Sequence, residues 1–384
     1  MTNVISRTPR VLHVYRTYFP DTQGGGEEMI RQVCRNTTLL GVENRVFTLT
    51  RDRQSPIIER PEADIFRGMC HGEFASCNIS FSAFRIFRDL VRWADIIHYY
   101  FPWPYADFLH LVTPEARAKP SLASHLSDIV RQQRLMTLYR PLMKNFLASM
   151  HRLVATSPNY LDSSDLLASY RDKVSVIPIG LRESDKPLAD RNDVARLRTR
   201  YGSSFLLFVG VLRYYKGLHV LLEAAKKIPV PIVIAGTGPM ESELKALARQ
   251  YKLDHVHFLG KVSDPEKAAL LTACRALVFP SHLPSESFGV SLVEAAMHSK
   301  PMITCEIGTG TTYVNKHRQT GLVVSPGSSA QLAEAMAQLV SDEGYAEQLG
   351  SGARKRYEDL FTGERMGQLY VELYTELMQQ RAPG

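Results

Sequence analysis

The feature that most constrains this chain is a recurrence. Short, continuous apolar runs return along its length, each followed by a Gly- or Pro-marked turn and then by sequence with helical periodicity. In the second half they read FLLFVGVL (205–212), PIVIAG (231–236), RALVFPS (275–281), KPMITCE (300–306) and GLVVSPG (321–327). A strand apolar on both sides must be covered on both faces, so such strands alternating with helices dictate a parallel sheet between two helical layers. The first half follows the same grammar with RVLHVYRT (10–17), NRVFTLT (44–50), ADIIHYY (94–100), a short run at 120–124, HRLVATSPNY (151–160) and KVSVIPIGL (173–181). The pattern predicts two doubly wound α/β domains. The boundary falls where the charged segment 182–200 begins, giving domains 1–181 and 182–360. Between 62 and 87 the pattern is hard to read, and Phe66, Phe74, Phe81, Phe84 and Phe87 are taken as apolar anchors. The last segment, about 361–380, sets Met366, Leu369, Tyr370, Leu373, Tyr374 and Leu377 on one helical face and is expected to pack back on the first domain.

Composition narrows the class. At 384 residues, 45% apolar and 22% charged, the chain is an ordinary globular one with room for two domains. No run reaches the roughly 18–20 apolar residues of a membrane span, and the first ten residues lack the apolar core of a secretory signal. Five cysteines without finger or pairwise spacing suit a reducing, cytoplasmic setting. The net charge of +7 is uneven: residues 1–182 hold 23 Lys and Arg against 17 Asp and Glu, residues 183–384 hold 23 against 22. A basic first half suits an anionic membrane surface or a phosphorylated substrate, or is simply a solvated face. No zinc-finger spacing or RNP-like motif supports nucleic acid.

In a parallel sheet, ligands collect at the carboxyl ends of the strands, so the residues just after each run carry the functional reading. After the first run comes Gly24-Gly25-Gly26, where the backbone can approach a ligand and take positive φ, although GxGxxG is absent. After 94–100 come Phe101, Trp103 and Tyr105, rings suited to line a crevice against a sugar or a lipid. His125 ends the next run, with Ser127 or Asp128 as a helix cap. The helix that follows is expected to carry Arg131, Arg134, Arg140, Lys144 and Arg152 among apolar residues, a basic amphipathic pattern. In the second domain Arg213 and Lys216 are placed to neutralise a pyrophosphate, Gly238 lies in a second Gly-rich turn, and the loop holding Val262 is fit to frame a base. The richest stretch is SHLPSESFGVSLVEAAM (281–297): two carboxylates, Glu286 and Glu294, flank Phe288-Gly289 at the start of a helix. A helix N-terminus takes an anion, and carboxylates take hydroxyls, so a ligand with both groups is implied.

Taken together, the Gly-rich first loop, the strand-end His125, VGVLRYYKG, HLSDIV and E286-SFGVSLV-E294 resemble retaining glycosyltransferases of family 4. HVYRTYFPDTQGGGEE, HYYFPWPYAD and EIGTGTTYVN are similar to the bacterial mannosyl- and rhamnosyltransferases of O-antigen and surface-polysaccharide synthesis. The resemblance implies the GT-B fold, two Rossmann-like domains facing across a cleft, and transfer of mannose or D-rhamnose from a GDP-sugar to a lipid-linked or oligosaccharide acceptor. It implies retention of anomeric configuration, no metal or other cofactor, and work in the cytoplasm or at the cytoplasmic face of the inner membrane. By position, it makes His125, Glu286, Lys216 and Arg213 catalytic. It makes Gly24, Gly25, Gly238, Val262, Ser287, Phe288, Gly289 and Glu294 donor-binding. Asp128, Phe101 and Trp103 are then candidates for the acceptor side. One departure stands out: the family arginine position is Val211, and Arg213 lies two residues on. The rival readings are a UDP-sugar transferase and a nucleotide-sugar epimerase of the same fold.

Overall fold

The computed structural model describes residues 8–52, 55–74, 77–128 and 133–380. The side chains of Phe74 and of residues 133–136 are also outside that description, so Arg131 and Arg134 of the basic helix are not placed. The chain forms two compact units. One takes the residues up to Thr156, Ser164–Ile179 and the segment from Gly363; the other takes Ser157–Ser163 and Gly180–Thr362.

The first unit is built on strands β1 (Arg10–Val14), β2 (Glu43–Thr50), β3 (Ile57–Arg60) and β4 (Ala63–Met69), a small hairpin β5 (Gly72–Phe74) and β6 (Cys77–Ile79), then β7 (Ile96–Phe101), β8 (Ser121–His125), β9 (Arg152–Ala155) and β10 (Val174–Val176). Its eight-stranded sheet runs β10-β9-β8-β7-β1-β2-β4-β3. All neighbours are parallel except the edge strand β3, which runs against β4 and is only half covered. Every residue of β7 is buried, as a central strand covered on both faces requires. The difficult stretch resolves into β4, the hairpin and the helix Ala83–Trp93. β4 escaped the sequence pattern because it carries Arg67 in the interior, 3% exposed, where Asp21 at 2.8 Å and Asp52 at 3.0 Å neutralise it. Phe87 is fully buried, but Phe81 and Phe84 are exposed and are not anchors.

One face of this sheet is unusually polar for an interior. His13 bonds Tyr100 at 3.0 Å and Asn44 at 2.9 Å; His98 bonds Tyr374 at 2.8 Å and Ser124 at 2.7 Å; Ser124 also meets Tyr370 at 3.1 Å. Both tyrosines, 370 and 374, come from the helix Gly363–Gln379, which also packs on the helix Gly25–Thr38. Its position is thus fixed by a satisfied polar network as well as by apolar contact. Burial holds His13 down at about 4 and lowers His98 well below an ordinary histidine, so both are neutral at pH 7.

The second unit contains β11 (Leu206–Val209), β12 (Ile232–Ala235), β13 (Val256–Gly260), β14 (Ala276–Phe279), β15 (Met302–Cys305) and β16 (Gly321–Val324). The sheet is wholly parallel, in the order β13-β12-β11-β14-β15-β16. The chain builds outward from β11 to β13, then returns to the other side of β11. Between β11 and β14 the winding reverses, and there the loops at the carboxyl ends diverge and leave room for a ligand. Among the described residues, no helix is long and apolar enough to cross a membrane.

Candidate active site

The two loops that leave the reversal point of the second sheet bring together the residues singled out in sequence. After β11 the chain runs through Arg213 and a short turn, Tyr214–Lys216, to Gly217. Gly217 has φ +71°, and a Cβ there would lie 2.0 Å from the carbonyl oxygen of Pro280, just past β14. Only glycine lets these backbones approach so closely. The contact is sealed by the His282 N–H, which donates to the Tyr215 carbonyl at 3.0 Å. With the loops clamped, the Lys216 ammonium donates to Oε2 of Glu286, both groups being nearly buried, and lies 4.4 Å from the Phe279 ring centroid. The Glu286 charge and, above all, burial push the Tyr215 phenol up to about 12.

Glu286 is held from the other side as well. The Thr309 hydroxyl, wholly buried, donates to its carbonyl at 2.7 Å, and the Gly310 N–H donates to the Ser287 carbonyl at 2.8 Å. Phe288 is buried against Phe361. Gly289 precedes the helix Val290–Met297, whose first N–H groups have no partner within the helix. Arg213 is exposed at the same edge, and its side chain makes no hydrogen bond or ion pair to a described residue. Glu294 lies one turn inside the helix, 6% exposed, its Oε1 2.8 Å from Lys267 and 3.7 Å from Lys186. Burial works against the charge on Lys267, yet Glu294 and Asp264 carry its pKa above the ordinary lysine value. Val262, half-buried, follows β13 two residues before the helix Asp264–Ala273, which supplies Lys267. Gly238 has a structural reason to be glycine: a Cβ there would meet the backbone N and O of Leu212 at 2.5 Å.

At the carboxyl edge of the first sheet, the loops after β1 and β8 meet. A Cβ on Gly26 would be 2.8 Å from the Tyr15 hydroxyl and 3.3 Å from Leu126, the residue after His125. None of the three glycines takes positive φ, contrary to the expectation; Gly24 is extended, and Gly25 opens the helix Gly25–Thr38. Gly24 is pressed by the carboxylate of Glu27, which accepts hydrogen bonds from Thr17 at 2.9 Å and Thr22 at 2.7 Å. Of the three, only Gly25 faces open space. His125, 2% exposed, stacks on Phe101 and shares a 3.0 Å hydrogen bond with Asp128, which also accepts from Ser164 at 3.0 Å.

Two expectations need correction. Phe101 and Trp103 were read as rings lining a crevice, but each is 1% exposed. Phe101 lies between His125 and Phe146, while Trp103 packs on Phe47 and Tyr105 and donates to the Asn78 carbonyl at 3.3 Å. They shape the edge from beneath. Sequence reasoning also missed several residues. Glu27 was signalled by an acid in the first turn after GGG. Lys186, Lys267 and Thr309 had no local signal. The ring cluster in which Tyr214 stacks on His219 and His282 meets both edge-on, with centroids 5.0–5.1 Å apart, was hinted at by a histidine opening an apolar helix.

Two parallel, doubly wound units of this kind define the GT-B class of fold. Sucrose-phosphate synthase from Thermosynechococcus elongatus shares it with TM-score 0.79 and 20% identity, covering 97% of this chain and 100% of that one. Anabaena HepE, solved in complex with UDP, does so with TM-score 0.79 and 17% identity, covering 96% and 100%. Residues 190–356 match the glycosyl transferases group 1 family. The D-rhamnosyltransferase WbpZ of Pseudomonas aeruginosa is 46% identical over 353 residues, 92% of each chain. The O-antigen chain mannosyltransferase C of Escherichia coli is 43% identical over 374 residues, 97% of this chain and 100% of that one. The chain belongs to the glycosyl transferases group 1 family.

Proposed function

We propose that this protein transfers a hexose, mannose or D-rhamnose, from a GDP-sugar to a lipid-linked or oligosaccharide acceptor in surface-polysaccharide synthesis, on the cytoplasmic side. The sugar and pathway are supported by the full-length relatives, a D-rhamnosyltransferase and an O-antigen mannosyltransferase. The observation that carries the chemistry is the buried Lys216–Glu286 pair at the reversal point of the second sheet.

A nucleotide sugar has an anionic diphosphate joined to a polyhydroxylated ring. Lys216 and Arg213 offer cations to the diphosphate, and the N-terminus of the helix Val290–Met297 adds unpaired N–H groups beside Ser287, Phe288 and Gly289. Glu286 accepts from the sugar hydroxyls. Donor binding thus exchanges the internal ion pair for contacts with phosphate and hydroxyl, leaving neither charge uncompensated. Glu294, oriented by Lys267, accepts from the ribose hydroxyls, and the Val262 loop faces the base. As the glycosidic bond breaks, negative charge grows on the departing diphosphate, and fixed cations and N–H dipoles stabilise it without a metal. Gly25 brings open backbone to the donor side of the first unit, beside Gly24. His125, oriented by Asp128, is assigned to the acceptor side of the first unit. Retention follows if the acceptor attacks from the face the diphosphate leaves, with no covalent enzyme intermediate.

The test is a thermal-shift screen of GDP-mannose, GDP-D-rhamnose, UDP-glucose and UDP-N-acetylglucosamine in EDTA, followed by product analysis with and without a glycan acceptor. A GDP-sugar alone should raise the melting temperature, since a ligand of the native state stabilises it. Transfer should persist in EDTA with an α-linked product from an α-linked donor. Stabilisation by a UDP-sugar only, or an epimerised donor formed without acceptor, would overturn the reading.

A further inference from the structure

Two successive peptides of the loop after β14 are tied to the loop after β15. The Thr309 hydroxyl, on a residue 0% exposed, donates to the Glu286 carbonyl at 2.7 Å, and the Gly310 N–H donates to the Ser287 carbonyl at 2.8 Å. The loops approach this closely because residue 310 has no side chain. A Cβ there would lie 2.8 Å from the Ser287 carbonyl oxygen and 3.0 Å from Phe288 Cα. The loop that makes both bonds is itself braced: the Glu306 carboxylate accepts from the Gly308 N–H at 3.1 Å and from the Thr312 hydroxyl at 3.0 Å.

In a planar trans peptide the N–H points opposite to the carbonyl. With the carbonyls of Glu286 and Ser287 drawn toward 309–310, the N–H groups of Ser287 and Phe288 are turned the other way. In the sheet β14 lies between β11 and β15, so that way is the side of the loop after β11, which carries Arg213 and Lys216. Neither N–H makes a hydrogen bond to a described residue. Phe288 is 1% exposed, so its N–H is a buried donor, and such a donor costs free energy until an acceptor meets it. Two adjacent N–H groups beside a lysine and an arginine suit a phosphate oxygen.

We infer that Thr309 is a positioning residue of the donor site, an inference that rests on the transferase reading above. Its hydroxyl, together with the Gly310 N–H, aims the Ser287 and Phe288 N–H groups at the phosphate that bears the sugar. Thr309 itself touches neither phosphate nor sugar. Negative charge grows on that phosphate as the glycosidic bond breaks, and donors already aimed at it stabilise the charge without reorganising. The hydroxyl is the part that matters. Valine has nearly the shape of threonine but no donor, and it would leave the Glu286 carbonyl, and with it the Ser287 N–H, free to turn.

The experiment is isothermal titration calorimetry of the full chain with GMP, GDP and GDP-mannose. Thr309→Val should weaken GDP and GDP-mannose by about 10-fold and leave GMP unchanged, since GMP lacks the second phosphate. Thr309→Ser keeps the hydroxyl and should recover most of the loss. Gly310→Ala disturbs the second bond and should produce the same GDP-selective weakening. A partly unfolded sample would lower the stoichiometry and keep the Kd, and a general distortion of the site would weaken GMP as well. Wild-type GDP affinity in folded Thr309→Val, equal weakening of GMP, or Thr309→Ser binding as poorly as Thr309→Val overturns the inference while the transferase reading stands. If the wild type prefers UDP, the guanine part of that reading fails, and UMP against UDP makes the same test of Thr309. If it binds no nucleoside diphosphate, both fall.

Discussion

The loops at the two sheet edges look alike in sequence and are held by opposite means. Both are Gly-bearing links from a parallel strand to a helix. After β1, side chains occupy the space the glycines leave: the Glu27 carboxylate sits against Gly24 and the Tyr15 hydroxyl against Gly26. After β11, backbone occupies it at Gly217, which lies against Pro280; the same holds after β12, where Gly238 lies against Leu212. A side chain swings aside at modest cost, whereas a strand-end carbonyl does not move without the sheet. The first loop is therefore the more adaptable and the second the more rigid. Charge follows the same division. The first loop places a carboxylate near its helix start, while the second pairs its Lys216 with Glu286 of the loop after β14 and leaves the start of its own helix, Leu218–Ala225, free of acid.

The sharpest break of this comparison is Gly217→Ala. It combines a left-handed backbone with a backbone clash and should cost about 3 kcal/mol or more of stability. It should also separate Lys216 from Glu286 and remove detectable transfer; denaturant melts with activity assays check both. An unchanged midpoint would mean the second loop is as yielding as the first. Next in size is an acid effect peculiar to the first unit. His13 and His98 stay neutral when folded but bind protons when unfolded below about pH 6.5. The unfolded state thus holds more protons from pH 6.5 down to about 4, and stability is full above this window and falls with pH through it. For His13 alone the loss is about 3 kcal/mol. Amide protection factors, corrected for the intrinsic exchange rate at each pH, should fall first in the helix Gly363–Gln379, which bonds this network through Tyr370 and Tyr374. The smallest stability effect belongs to Gly25→Ala. A Cβ there meets nothing within 4 Å, so stability should stay within about 1 kcal/mol of wild type. If Gly25 faces the donor, kcat/KM should still fall by about 10-fold. Calorimetry beside kinetics separates these two readouts.

Much of this was legible in the sequence because it is local. β11 to β16 are uninterrupted apolar runs, and SESFGVSLVEAAM holds its loop, helix start and both carboxylates within a few residues. What escaped depends on distance. Glu294 and Lys267 sit on different helices, and Thr309 reaches the Glu286 backbone from 23 positions away. Arg67 hid β4 because its neutralising partners, Asp21 and Asp52, come from other loops. Phe101 and Trp103 were misplaced for a related reason. An aromatic after a strand end can face the ligand or the core, and periodicity does not distinguish the two. Phe84 was misplaced the other way: it shares a helical face with Phe87 and Val91 but lies in the first turn, where it is 39% exposed.

The central claim is that Lys216 and Glu286 form the donor site, and it is tested most directly by single-turnover transfer with Lys216→Ala and Glu286→Ala. Each variant would first be shown folded by circular dichroism and thermal melting, because removing one member of a buried pair strands the other and costs about 3–5 kcal/mol. Both variants should fold with a lowered midpoint, and transfer should drop by about 1,000-fold or more. Wild-type transfer by either folded variant would contradict it.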